Sequence, residues 1–121
     1  MTRFEQPDID ALLPLPTASF HILIGLADRD RHGYSIMQDI AARTDGKLRL
    51  SPGTLYGSIK RLLESGLIVE LEERPDPELD DERRRYYRLT PFGRAVANAE
   101  VERLTQVLRG ARAYGLAKKR V

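Results

Sequence analysis

The chain has 121 residues, 41% hydrophobic and 31% charged, which fits a small folded domain with one extra element rather than a disordered chain. It has no cysteine, so disulfide stapling and thiolate chemistry are excluded, and its two histidines, His21 and His32, have no metal-ligand spacing. The net charge of +2 is unevenly spread: residues 67–88 hold eight acids and five bases, residues 89–121 seven bases and two acids. Such a run is more often a solvated face than a binding surface. No apolar run is long enough to span a bilayer, and the opening MTRFEQPDIDALLPLP has no basic region feeding an apolar core, so a cytoplasmic protein is expected.

Residues 1–16 contain Pro7, Pro14 and Pro16 and little periodicity, and read as an arm with a short turn around Ile9–Leu13. Thr17 or Ser19 is placed to cap the first helix, on which Phe20, Leu23, Ile24 and Ala27 share a face beside Ile22 and Leu26. Residues 31–33 break it. A second helix runs from about Tyr34 to Arg43 on the stripe Ile36, Met37, Ile40 and Ala41, and ends at Thr44, Asp45 and Gly46. Leu48 and Leu50 return the chain in extended form. Ser51 and Pro52 then form the clearest helix start in the sequence, a hydroxyl cap followed by a proline whose missing amide costs nothing there. Leu55, Ile59, Leu62 and Leu63 give this third helix its apolar face, and Gly66 stops it.

Two strands are predicted next, over residues 67–71 and 85–89, joined by a long polar connection marked by Pro75, Asp76 and Pro77. In the second strand Tyr87 and Leu89 belong to the inward set, Tyr86 and Arg88 to the outward one. Thr90 and Pro91 repeat the cap-plus-proline start. The last helix runs to about Tyr114 and, at roughly 1.5 Å per residue, is about 35 Å long, too long for one small core to cover. Ala97, Val101, Leu104, Leu108, Ala111 and Gly115 recur at spacings of four and three, the seam of a helix that pairs with another helix. Ala111 and Gly115 are expected to permit close approach there.

The order helix, helix, helix, hairpin, helix is mainly α with a small β hairpin: a winged helix-turn-helix followed by a C-terminal dimerisation helix. In that layout the third helix enters the major groove of DNA. Opposite its leucines it carries Gly53, Thr54, Gly57, Lys60 and Arg61. Small residues allow close approach, Thr54 can meet a phosphate or a base edge, and the two cations can reach the backbone. Tyr56 and Tyr34 each read as a core tyrosine or as a phosphate contact. Arg83, Arg84 and Arg85 mark the returning wing, where arginine suits phosphate or the minor groove, although Asp76, Glu78, Asp80, Asp81 and Glu82 make the wing tip acidic. His32 reads as a helix-terminal histidine, His21 as a structural one and Met37 as core. No nucleophile is paired with a base and an orienting group, so an enzyme is not expected. A winged helix that binds protein instead of DNA is the competing reading.

The stretches HGYSIMQDI, LSPGTLYGSIKRLLESGLI and RRRYYRLTPFGR together resemble the PadR family of transcriptional regulators, over about residues 17–113. The resemblance implies an N-terminal arm (1–16), a winged helix-turn-helix DNA-binding domain (17–90) and a C-terminal dimerisation helix with a basic tail (91–121), as in the smaller subgroup. It implies a homodimeric repressor on a pseudo-palindromic double-stranded DNA operator, with a small aromatic or drug-like effector in some members; no cofactor or metal is expected. By that likeness Tyr34 is the tyrosine of the second helix, Ser51, Gly53, Thr54, Tyr56 and Lys60 belong to the recognition helix, and Arg83 and Arg85 to the wing. Val101, Leu104, Leu108 and Ala111 are the expected dimer seam. Two features depart from the family pattern: the acidic wing tip, and the absence of the tryptophan with which some members stack aromatic ligands.

Overall fold

A computed structural model describes residues 4–71 and 85–117. The elements are α1 (Gln6–Asp10), α2 (Thr17–Asp28), β1 (Arg31–His32), α3 (Gly33–Arg43), α4 (Pro52–Glu64), β2 (Ile68–Leu71), β3 (Tyr86–Leu89) and α5 (Pro91–Ala113). The apolar stripes of three helices meet in the core: Ile22, Leu23 and Leu26 of α2, Ile36 and Ile40 of α3, and Leu55, Ile59 and Leu62 of α4. Leu67, Ile68, Tyr87 and Val96 close it. Burying each such side chain contributes about 1.5–3 kcal/mol, which is what fixes the helices against one another.

The hydroxyl-proline starts form as the sequence predicts. Ser51 Oγ accepts from the Thr54 N–H at 3.2 Å, and Thr90 Oγ1 accepts from the Gly93 N–H at 2.9 Å. The start of α2 differs. Pro16 holds the cap position with no side-chain hydrogen bond, Thr17 is already helical and Ser19 is buried. At the end of α4, Gly66 adopts φ +76°, a left-handed conformation that only glycine takes readily. The Gly66 N–H returns to Leu63 O at 3.1 Å and the Leu67 N–H to Leu62 O at 3.0 Å, so the chain turns straight into β2.

Among the described residues the sheet has three antiparallel strands in the order β1-β3-β2, where the sequence predicts a two-stranded hairpin. Arg31 pairs with Tyr87 and His32 with Tyr86, which makes β3 the central strand. Two residues are too few to display strand alternation, and their partner lies far along the chain. Arg88, outward as expected, is held by Asp30, with Nε donating to Oδ1 at 3.1 Å and Nη2 to Oδ2 at 2.7 Å.

Residues 4–16 are packed down. Ile9 of α1 is buried, and the ring of Phe4 lies 5.2 Å from that of Phe92 on α5. The Leu15 N–H donates to Glu100 Oε2 at 2.8 Å, while Arg103 Nε donates to Glu100 Oε1 at 2.5 Å. Glu100 is 2% exposed, and these two donors satisfy a carboxylate that would otherwise be costly to bury. Its pKa is held below the usual carboxylate range, chiefly by the hydrogen bond from Arg103, against the opposing effect of burial.

Past Glu100, α5 leaves the core. Val101, Leu104, Val107 and Leu108 are all exposed, and Val107, absent from the predicted seam, is the most exposed of them at 57%. Gly115, expected at the end of the seam, follows the last helical residue, Ala113, and the cap Tyr114. It lies beyond the helix, where its N–H returns to Arg112 O at 3.0 Å and that of Leu116 to Ala111 O at 2.9 Å, so it is the helix stop.

Candidate nucleic-acid interface

With Leu55, Ile59 and Leu62 turned inward, α4 presents an outer face of Gly53, Thr54, Tyr56, Lys60 and Arg61, all exposed, with Gly57 half-buried among them. No exposed acid occurs along this helix before Glu64 at its end. A Cβ at residue 53 would meet nothing within 4 Å, and one at residue 57 would meet only the Arg61 guanidinium, at 3.7 Å. The face is therefore low for lack of side chains, not because the fold needs room there. Ser51 is exposed at the helix start, and its hydroxyl donates to Thr54 Oγ1 at 3.1 Å. That leaves the proton of Thr54 for an outside acceptor. Arg61 Nη2 donates to Ser58 Oγ at 3.3 Å, which steadies the guanidinium along the helix.

Tyr34, 55% exposed in the first turn of α3, stands beside this face, and Tyr56 is 51% exposed. Neither is the core tyrosine that remained open from the sequence. The tyrosine in the core is Tyr87, whose hydroxyl has its pKa raised first by burial and then by the negative charge of Glu70. His32 is helix-terminal, as predicted: its Nδ1 accepts from the Ser35 N–H at 3.1 Å and caps α3. Its ring meets Tyr86 edge-on at 5.2 Å, so Tyr86 is half-buried rather than wholly outward.

In the wing, Arg85 is exposed and reaches Glu70 on the neighbouring strand at 3.4 Å. An exposed pair of this kind is weak and leaves other guanidinium donors available. Arg83 and Arg84 lie outside the described residues, as do the acids at 76–82.

The sequence reading missed the cation that orients α3. Arg31 has a side chain only 12% exposed; Nε donates to Gly25 O at 2.9 Å, Nη1 to Ser35 Oγ at 3.1 Å, and Nη2 lies 2.9 Å from Asp28 and 3.4 Å from Asp39. Arg43 completes the network, 2.8 Å from Asp39 and donating to the His21 carbonyl at 2.9 Å. His21 is structural, as expected, and its pKa is lowered by burial and then by Arg43. Within the run RDRH, Arg31 looks like one more charge at a solvated break. Glu100 was missed too, although it stands four residues after Val96, on the helix face that the core requires to be apolar.

Leu104 also borders a cavity of about 320 Å³ between α2 and α5, lined by Leu15, Phe20 and Ile24 with His21, Glu100 and Arg103. No helix among the described residues is long and apolar enough to cross a membrane.

Residues 22–99 match the "Transcriptional regulator PadR-like family". Transcriptional regulator Rv3488 of Mycobacterium tuberculosis is 38% identical over 89 residues, covering 74% of this chain and 77% of that protein. Among solved structures, a transcriptional regulator from Clostridium thermocellum superposes with a TM-score of 0.69 at 24% identity, over 96% of this chain and 100% of the other. A PadR family transcription regulator from Clostridium difficile gives a TM-score of 0.67 at 23% identity, over 82% of this chain and 98% of the other. At that identity the two structures speak for the winged-helix fold.

Proposed function

The chain belongs to the PadR-like family of transcriptional regulators, not to an enzyme family, and from that premise we propose that it is a homodimeric repressor that binds a pseudo-palindromic DNA operator. The open outer face of α4, with no acid before Glu64 at its end, carries this reading. A helix whose small residues sit at its start, with Thr54 near the amino end and Lys60 and Arg61 further along, fits a major groove: phosphate is favoured at the amino end and base edges are reached from the first turns. Tyr34, Ser51, Gly53, Thr54, Tyr56, Gly57, Lys60 and Arg61 form the contact set, joined from the wing by Arg85 and, by sequence position, by Arg83 and Arg84.

The exposed stripe of α5 supports the dimer. Val101, Leu104, Val107 and Leu108, 40–57% exposed, would each forgo about half of the roughly 1.5–3 kcal/mol that full burial gives, and a second copy of α5 across a two-fold axis covers them, with Ala111 alongside. A small aromatic or drug-like effector has a setting in the cavity between α2 and α5, because its wall includes Leu104 of that stripe.

Selection of bound duplexes from a random pool at low salt tests the reading. The expected outcome is an enriched site with half-sites about 34 Å apart, bound less tightly as salt rises. No enriched motif would overturn it and favour the winged-helix adaptor, in which Lys60 and Arg61 meet a protein.

A further inference from the structure

We propose that Gly33 is a positioning residue for DNA recognition: lacking a side chain, it lets Tyr56 of α4 lie against the first turn of α3, beside Tyr34. The inference rests on the DNA reading of α4. A Cβ at residue 33 would stand 2.4 Å from the Tyr56 hydroxyl oxygen, 2.9 Å from Cζ and 3.2 Å from Cε1. Carbon and oxygen do not approach so closely without a bond, so one partner would have to move.

Residue 33 is held. The two residues before it are paired with β3, His32 caps α3 through Ser35, and the Arg31 guanidinium is fixed by Gly25, Ser35, Asp28 and Asp39. Tyr56 is held at its backbone, since its neighbour Leu55 and Ile59 one turn on are buried in the core. What remains free is the ring, which would swing off α3 into solvent. Gly33 is buried, and its backbone is not in the left-handed region, so room for the ring is the need that the structure shows for glycine at this position. Glycine is otherwise a poor residue in a helix.

The docked ring matters to DNA because it is half-exposed: one part rests on α3 and the rest faces outward. Tyr56 and Lys60 are four apart on α4 and so share a face, while the Tyr56 hydroxyl lies over the residue preceding Tyr34. A ring held in this way loses little rotamer freedom on binding and offers its hydroxyl at a fixed point to a phosphate oxygen. A ring swung free would have to be ordered by the DNA itself.

The test compares Tyr56→Ala, Gly33→Ala and the two combined, in the full chain, by anisotropy on the labelled duplex recovered by selection, with melting followed in parallel. Tyr56→Ala should weaken binding about tenfold, the loss of a hydrogen bond to a charged group. Gly33→Ala should weaken it as much, and the combination no more than either change alone. In the combination the melting temperature should return to that of Tyr56→Ala, because the clash has gone. Losses that multiply, or wild-type affinity in folded Gly33→Ala, would overturn the proposal. If Gly33→Ala does not fold, the combination decides: a folded protein that binds like Tyr56→Ala supports it, and an unfolded one overturns it. A wild-type chain that binds no duplex would fail the DNA reading itself and this inference with it, an outcome separate from the others.

Discussion

Helices α4 and α5 begin alike and are used differently. Each starts with a hydroxyl cap and a proline, and each carries an apolar stripe at helical spacing. In α4 the stripe is buried along its length, and what is left open is polar, basic and low. In α5 only the first turns are buried, as far as Glu100, and what is left open beyond includes Val101, Leu104, Val107 and Leu108 among charged and polar residues. The period of a stripe says that a face is to be covered but not by what. The partner is read from the neighbours: α4 has two helices and a sheet around it, whereas α5 outruns them.

The largest test of this contrast is the pair Leu104→Asp and Leu108→Asp. Carboxylates in the proposed seam should dissociate the dimer and, with the half-sites unlinked, lower operator affinity by about 10²–10⁴-fold. Sedimentation of the folded variant still showing a dimer at low micromolar concentration would mean that the seam is elsewhere. Next comes Leu55→Ala, which opens a cavity inside a single chain and should cost about 2–5 kcal/mol in denaturant melts. That loss should have the same size at every protein concentration, whereas the loss from Leu108→Ala should vanish on dilution, where the wild type is itself dissociated, and grow as the wild type associates. The opposite pattern would exchange the roles of the two helices.

The caps sharpen the comparison at a smaller scale. Ser51→Ala should cost about 1 kcal/mol, the usual value of an N-cap. Thr90→Ala should cost more, about 2 kcal/mol, because Thr90 also donates to Gly66 O at 2.7 Å and so ties the start of α5 to the turn after α4. Equal losses by thermal unfolding would show that this tie contributes nothing. Smallest is Lys60→Ala, which should weaken DNA binding a few-fold across sequences and make the salt slope shallower by about one. An unchanged slope would remove Lys60 from the phosphate contacts.

The helices were legible because their signals are local. Ser51-Pro52, Thr90-Pro91 and Gly66 mark boundaries within a few residues, and three core stripes follow from spacing alone. The third strand was not legible, because β1 consists of Arg31 and His32 and exists only through β3. The packing of residues 4–16 was hidden for the same reason: Leu15 offers a backbone amide, which no sequence pattern reveals, to an acid on the last helix. On the candidate interface, the exposed residues of α4 could be read off as the complement of its leucines. The supports beneath them, Arg31 and Gly33, resembled a solvated break, because their partners come from other elements.

The short β1 strand also orders events in time. The contacts among α2, α3 and α4 join neighbouring parts of the chain, so their loops close at little entropic cost. The pairing of Arg31 with Tyr87 cannot form until the chain through β3 is present, and Val96 completes the core only after that. During synthesis the three helices therefore have a period in which the central strand is missing and the floor of the core is open. The proposed dimer seam lies on α5, which emerges after β3, so each chain has its own sheet in reach before it has the proposed means to meet another.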